Sequence, residues 1–117
     1  MEVSVQNQVV EESQNLICDA EINRFNADGF VILPNIISGV KAHELAKRFD
    51  LLFKGEFQTG LQPDEWNWRS DRDHPSETRQ ICNGWKSDLL IAETVLNSSI
   101  AAACATLAGW SGARLAQ

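Results

Sequence analysis

Thr59-Gly-Leu-Gln-Pro-Asp-Glu-Trp-Asn-Trp-Arg-Ser-Asp-Arg-Asp73 sets Trp66 and Trp68 among closely spaced charges and follows neither a helical nor a strand period. Indole rings in a solvated linker would expose apolar area for no gain, so this loop is expected to fold down onto a larger body. The rest of the chain supplies helices but little sheet, and the body that the loop should cover is expected to lie outside these residues. The expectation is therefore an α+β chain, mostly helical, whose sheet is incomplete, with its last residues entering a strand that lacks a partner.

Working outward from the loop, Ser38 is a plausible N-cap. After it Ala42, Leu45, Ala46, Phe49, Leu52 and Phe53 recur at three- and four-residue steps, with Lys41, Glu44, Lys47, Arg48 and Lys54 outside that stripe and Gly55 as the stop. Earlier in the chain, Asp19 is expected to cap a short helix bearing Ile22 and Phe25 and closed by Asp28-Gly29. Phe30-Val-Ile-Leu33 then suggests a brief buried strand, ended by Pro34. On the C-terminal side of the loop, Thr78–Cys82 suits a short extended piece and Asn83-Gly84 a turn. Ser87 or Asp88 should start a helix with Leu89, Ala92 and Leu96 on one side. Asn97-Ser-Ser should cap a further helix of small residues, Ile100–Ala108, which Gly109 ends, and Gly112–Gln117 is expected to be a strand.

The chain has 117 residues, enough for one modest core, and a net charge of −6 that argues against nucleic-acid or anionic-membrane partners. Residues 1–17 are polar and suggest a flexible tail, leaving 18–117 as one domain segment. No apolar run is expected to approach the roughly 20 residues that span a bilayer. With neither a secretory leader nor a C-terminal peroxisomal signal in view, a cytoplasmic location is expected. Cys18, Cys82 and Cys104 are far apart with no Cys-x-x-Cys pair, which suits buried reduced thiols.

Candidates for chemistry are few. His43 belongs to the polar side of the long helix, and His74 precedes a proline in a loop; neither begins a His-x-Asp or His-x-Glu pair, so no metal site is expected. Gly109-Trp-Ser-Gly-Ala113 misses the Gly-x-Ser-x-Gly elbow by one residue, and Asn83-Gly-Trp-Lys86 lacks the glycines of a phosphate loop. Asp64, Glu65, Asp71 and Asp73 are expected to pair with Arg69, Arg72 or Arg79. Arg79, in the semi-apolar run Thr78–Cys82, belongs either to an exposed strand or to a guanidinium turned inward to a carboxylate. Arg114 is a weaker candidate of the same kind.

Taken in order, Arg24-Phe-Asn-Ala-Asp-Gly-Phe-Val-Ile-Leu-Pro34, the Thr59–Asp73 loop, Thr78-Arg-Gln-Ile-Cys-Asn-Gly-Trp-Lys-Ser-Asp88 and Gly109-Trp-Ser-Gly-Ala-Arg-Leu115 resemble the N-terminal part of a phytanoyl-CoA dioxygenase-like protein. The resemblance covers residues 20 to 117. It implies a jelly-roll oxygenase that uses Fe(II) and 2-oxoglutarate to hydroxylate an organic small molecule or acyl thioester. It also implies that the metal triad and the arginine for the 2-oxoglutarate carboxylate lie beyond these residues, so the chain alone is expected to bind neither cofactor and to be inactive. Arg79 matches a basic residue near the co-substrate in similar enzymes, and Arg114 and Gln117 would fall on the strand at the barrel mouth. The alternatives are a small helical protein-interaction module, with the stripe of residues 42 to 53 and Trp66/Trp68 as its binding surface, or a catalytically dead regulator. Because its helices would lack the sheet they cover, the isolated chain is expected to self-associate through its uncovered apolar faces.

Overall fold

The computed structural model describes residues 17–116. The expected tail lies outside the described residues, apart from Ile17, which is buried at 3% exposure. Helix α1 spans Asp19–Asp28. Its N-cap is Cys18 rather than Asp19: Glu21 reaches back to the Cys18 backbone N–H at 2.8 Å, which places Asp19 inside the first turn. Gly29 closes the helix at φ 79°, in the left-handed region. Helix α2, Gly39–Phe53, starts at Ser38, whose hydroxyl accepts from the Lys41 N–H at 3.1 Å. Helices α3, Leu89–Val95, and α4, Ser98–Ala108, start at the side chains of Asp88 and Asn97.

The strand expected at Phe30–Leu33 does not form. The segment is extended, yet among the described residues its backbone groups find no hydrogen-bond partner, and Phe30 and Ile32 are 62% and 78% exposed. Ser111–Ala116 is likewise irregular, so the expected strand there is absent over its described length, and Gln117 lies outside. The sheet that exists is elsewhere: β1, Glu65–Trp66, pairs antiparallel with β2, Ile81–Cys82, within the two stretches singled out as loop and short extended piece. A single 3₁₀ turn, Gly84–Lys86, leads from β2 toward α3.

Helix α2 packs on α3, and α1 on α4. The face that α2 turns inward is rotated from the stripe read in the sequence. Ala42, Ala46 and Phe49 are exposed, whereas Lys41 and Arg48, assigned to the solvent side, are part-buried with Leu45, on the side where Leu52 is buried. Electrostatics explains the rotation: Lys41 reaches Glu93 at 2.5 Å and Arg48 reaches Asp88 at 2.5 Å, both at the start of or within α3. Asp88 is fully buried, and its Oδ1 also accepts from the N–H groups of Leu90 and Ile91. Leu52, also fully buried, lies close enough to Gly84 that a side chain added there would come within 3.3 Å of it.

Leu89–Ala108 corrects the expectation about apolar runs. Its 20 residues, at a mean hydropathy of 1.5, are long and apolar enough to cross a membrane by length and composition. In this fold the run is two helices, divided where the Asn97 side chain caps α4 through the N–H groups of Ser99 and Ile100. The cysteines are also less covered than expected. Cys18 and Cys104 are exposed and Cys82 is part-buried, because each sits at a helix start, an outer helix face or a ribbon edge rather than in the small core.

The Arg48–Asp88 pair should dominate stability. Asp88→Ala removes a cap and strands a part-buried guanidinium, and is expected to cost about 2–4 kcal/mol, while Asp88→Asn, which keeps the cap, should cost about half as much. Urea denaturation of the two variants measures the difference, and an Asp88→Asn variant as stable as the native chain would show that the charge contributes nothing.

Candidate functional site: the tryptophan–arginine hairpin

The hairpin grows from β1 and β2 in the register Glu65 to Cys82 and Trp66 to Ile81, and one further bond, from the Asn67 N–H to the Gln80 carbonyl at 3.0 Å, extends the pairing toward Trp68 and Arg79. Side chains two apart on a strand share a face, so Trp66 and Trp68 both turn to the C-terminal end of α2. Trp68 is 4% exposed, meets Phe53 edge-on at 5.7 Å, and donates from its indole N–H to the His74 carbonyl at 2.9 Å. Trp66 meets Phe57 edge-on at 5.2 Å. The Ser70 N–H donates to the Phe53 carbonyl at 3.3 Å, which fixes the loop to the helix end. The loop is thus packed, but onto the end of α2, a body within the chain rather than the expected one outside these residues.

Gly55 is the one place where this seating depends on a missing side chain. Its φ of 83° is left-handed, and a Cβ there would lie 2.8 Å from the Trp66 ring.

The charges pair differently from the sequence expectation. Arg72 does take Asp73, through Nε at 2.7 Å and Nη2 at 2.6 Å. Asp64, however, belongs to Lys86, whose Nζ donates to both of its oxygens at 2.8 and 2.9 Å, and to the Asn83 amide. Arg69 and Arg79 take no carboxylate among the described residues. The Arg69 guanidinium lies 4.1 Å from the centroid of Trp66, and that of Arg79 lies 4.0 Å from Trp68 and 5.9 Å from Phe53. Arg79 is therefore neither a free strand side chain nor an inward ion pair; it caps an aromatic stack and remains exposed. Sequence reasoning placed Arg69 only as a carboxylate partner and missed its contact with Trp66, which no local pattern signals.

Two donors in this cluster lack an acceptor among the described residues, the indole N–H of Trp66 and Nε–H of Arg69, and so does the fully buried hydroxyl of Ser87. A cleft of about 450 Å³ lies beside the ribbon, lined by Asp64, Glu65, Ile81, Cys82 and Asn83. The ammonium of Lys86, then the Asn83 amide, hold the Asp64 carboxyl below the usual carboxylate range. The Arg72 guanidinium, then the Arg69 N–H, do the same for Asp73, which in turn raises Arg72.

His43 is on the exposed side of α2, and His74 is engaged locally, its Nδ1 2.7 Å from the Ser76 hydroxyl. Arg114 is exposed, and Gln117 lies outside the described residues. Among the described residues no three His, Cys, Asp or Glu side chains approach closely enough to hold a metal ion.

Compared with protein-family models, curated proteins and solved structures, the chain matches none.

Two outcomes follow from this geometry. Gly55→Ala should lose about 1–3 kcal/mol, from the left-handed backbone and the displaced indole, and near-UV circular dichroism should report the moved tryptophan; an unchanged spectrum and midpoint would contradict the close approach. Because the Asp64 carboxyl is lowered in the fold, its pairing stabilises the hairpin above the ordinary aspartate value of about 3.9. That support is lost as pH falls through the folded value. Tryptophan fluorescence of the native chain should show an acid transition that Asp64→Asn weakens, and identical acid profiles would exclude the Asp64–Lys86 pair as a clamp.

Proposed function

We propose that this chain is the N-terminal part of a phytanoyl-CoA dioxygenase-like, Fe(II)- and 2-oxoglutarate-dependent oxygenase, where it forms a side wall of the jelly-roll barrel. The tryptophan–arginine hairpin borders the substrate entrance in this reading, and Arg79 is its candidate co-substrate contact. The ordered resemblance of four sequence stretches supports it. One observation carries it further: Phe30–Leu33 is extended and strand-like in composition, with two large side chains in solvent and no ladder partner among the described residues. A strand from the barrel sheet would take up those backbone groups, and the layer facing that sheet would cover those side chains.

Iron would supply oxygen activation in the complete enzyme. The described residues do not provide its ligands, so their part is mechanical: to hold the hairpin in place and to exclude water from one flank of the barrel. The substrate would be an organic small molecule or an acyl thioester.

A second reading, a small helical interaction module, draws on the exposed Phe49, Val95 and Leu96. The two separate cleanly. Under the oxygenase reading, the coding frame after the Gln117 codon continues into a His-x-Asp or His-x-Glu motif and a distal histidine; a stop codon at that point sinks the reading. The 117-residue chain by itself should show no rise in thermal midpoint with Fe(II) and 2-oxoglutarate, because a ligand stabilises only a state that binds it. A joint shift of several degrees would mean that the chain carries a cofactor site of its own.

A further inference from the structure

We propose that Asn83 is a site of spontaneous covalent modification, where hydrolysis of the side-chain amide opens the clamp that holds the hairpin. Asn83 has no part in the oxygenase reading, so the site stands whatever family the chain belongs to.

Asn83 alone among the asparagines precedes a glycine. Glycine has no side chain to shield its backbone nitrogen, and that nitrogen can reach the Asn83 carboxamide carbon once the turn relaxes. The nitrogen sheds its proton and bonds to Cγ, the Cγ–Nδ2 bond breaks, and ammonia leaves with that proton. Water then opens the cyclic imide at one carbonyl or the other and leaves aspartate or isoaspartate. Water is the sole co-reactant, and nothing is oxidised or reduced.

Packing makes this dipeptide hard to replace. Gly84 is buried, and a side chain there would come within 3.3 Å of both Ile81 and Leu52. Asn83 sits at φ 56° and ψ 39°, in the left-handed region, where asparagine is one of the few residues with a side chain that fit readily. The turn between β2 and α3 therefore keeps a reactive pair because its shape asks for both members.

The same carboxamide is part of the clamp. Its Nδ2 donates to Asp64 Oδ2 at 2.5 Å, and its Oδ1 accepts the Trp85 indole N–H at 3.1 Å. Held at both ends, it cannot swing its carbon toward the Gly84 nitrogen, so the closed hairpin protects it and opening exposes it. Asn83 also lines the cleft of about 450 Å³, which admits water. A carboxylate in place of the amide removes a donor from Asp64 and leaves two like charges to share Lys86. Isoaspartate adds a carbon to the main chain just before the 3₁₀ turn, where the Lys86 and Ser87 carbonyls hold Thr59. Either product loosens the hairpin and disturbs the entry of α3. Opening permits the reaction and the product hinders closing, so the change runs one way.

The test incubates the full 117-residue chain at mildly alkaline pH, with and without urea, and follows each asparagine by peptide mass mapping. Asn83 is expected to convert ahead of every other asparagine, and more slowly in the native chain than in urea. Asp64→Ala removes one anchor of the carboxamide and should speed conversion about tenfold, the weight of one charge-assisted hydrogen bond. Trp85→Phe keeps an aromatic ring but removes the other anchor, and should speed it severalfold. Near-UV circular dichroism of Trp68 against Phe53 shows whether each variant is folded, and Trp85→Phe decides the matter if Asp64→Ala is not. The converted chain, separated by its added negative charge, should have a lower thermal midpoint. Conversion at Asn83 no faster than elsewhere, equal rates with and without urea, rates unchanged in the folded variants, or an unchanged midpoint would each overturn the site. Such a failure would leave the oxygenase reading standing, since the latter depends on Phe30–Leu33 and on the downstream coding sequence.

Discussion

The carboxylate of Asp88 has no accessible surface, and the fold around it depends on the Arg48 guanidinium reaching it from α2. A buried carboxylate without a partner costs several kcal/mol, so this residue is tolerable only where α2 passes beside it. Its other oxygen is committed to the first turn of α3. One side chain therefore sets both where α3 begins and how α2 is rotated against it. The neighbouring bonds converge on the same point. Gln58 accepts from the Leu89 N–H at 3.0 Å, the Thr59 N–H donates to the Ser87 carbonyl at 3.2 Å, and the Thr59 hydroxyl donates to the Lys86 carbonyl at 2.6 Å. The exit of α2 and the entry of α3 are consequently one joint.

The hairpin is built onto that joint. Phe53, the last residue of α2, and Phe57, in the irregular segment after the left-handed Gly55, each offer a ring to one of two tryptophans that are one strand step apart. The turn at Gly55 is what brings the second ring beside the ribbon. Two paired residues on each strand would not persist alone. Here the aromatic contacts, the Trp68 indole bond and the Asp64–Lys86 pair supply the order that the ladder lacks.

Helix ends were the most legible part of the sequence, because a cap is a local device. Ser38, Asn97 and Asp88 start helices as their side-chain chemistry dictates, and Gly29 and Gly109 end them in the left-handed region. The inward face of α2 was not legible from hydropathy alone. Arg48 is polar in any periodicity count, and only the three-dimensional position of Asp88 makes it an inward residue. The hairpin cations were misread for a related reason. Proximity in sequence favours Asp71 and Asp73 as partners for Arg69 and Arg79, but the partners chosen are aromatic faces that the ribbon register brings across. Trp66 and Trp68 were recognisable as packed residues; which cation each would carry depended on pairing that no local pattern encodes. The Phe30–Leu33 run was recognisable as extended from its β-branched and aromatic composition, while its burial, a property of whatever lies against it, was not.

That segment also separates two kinds of unfinished surface. Exposed Phe49, Val95 and Leu96 are on or beside helices whose backbone bonds are already closed, so any apolar body of suitable shape could cover them. Phe30–Leu33 is different. Water can satisfy its N–H and carbonyl groups but cannot satisfy the Phe30 and Ile32 side chains, and a helix laid over those side chains would bury the backbone groups unpaired. An adjacent strand would take up the backbone groups, and a layer facing the resulting sheet would cover the side chains. The backbone groups thus favour a strand as neighbour, whereas the apolar area alone would accept either a strand or a helix.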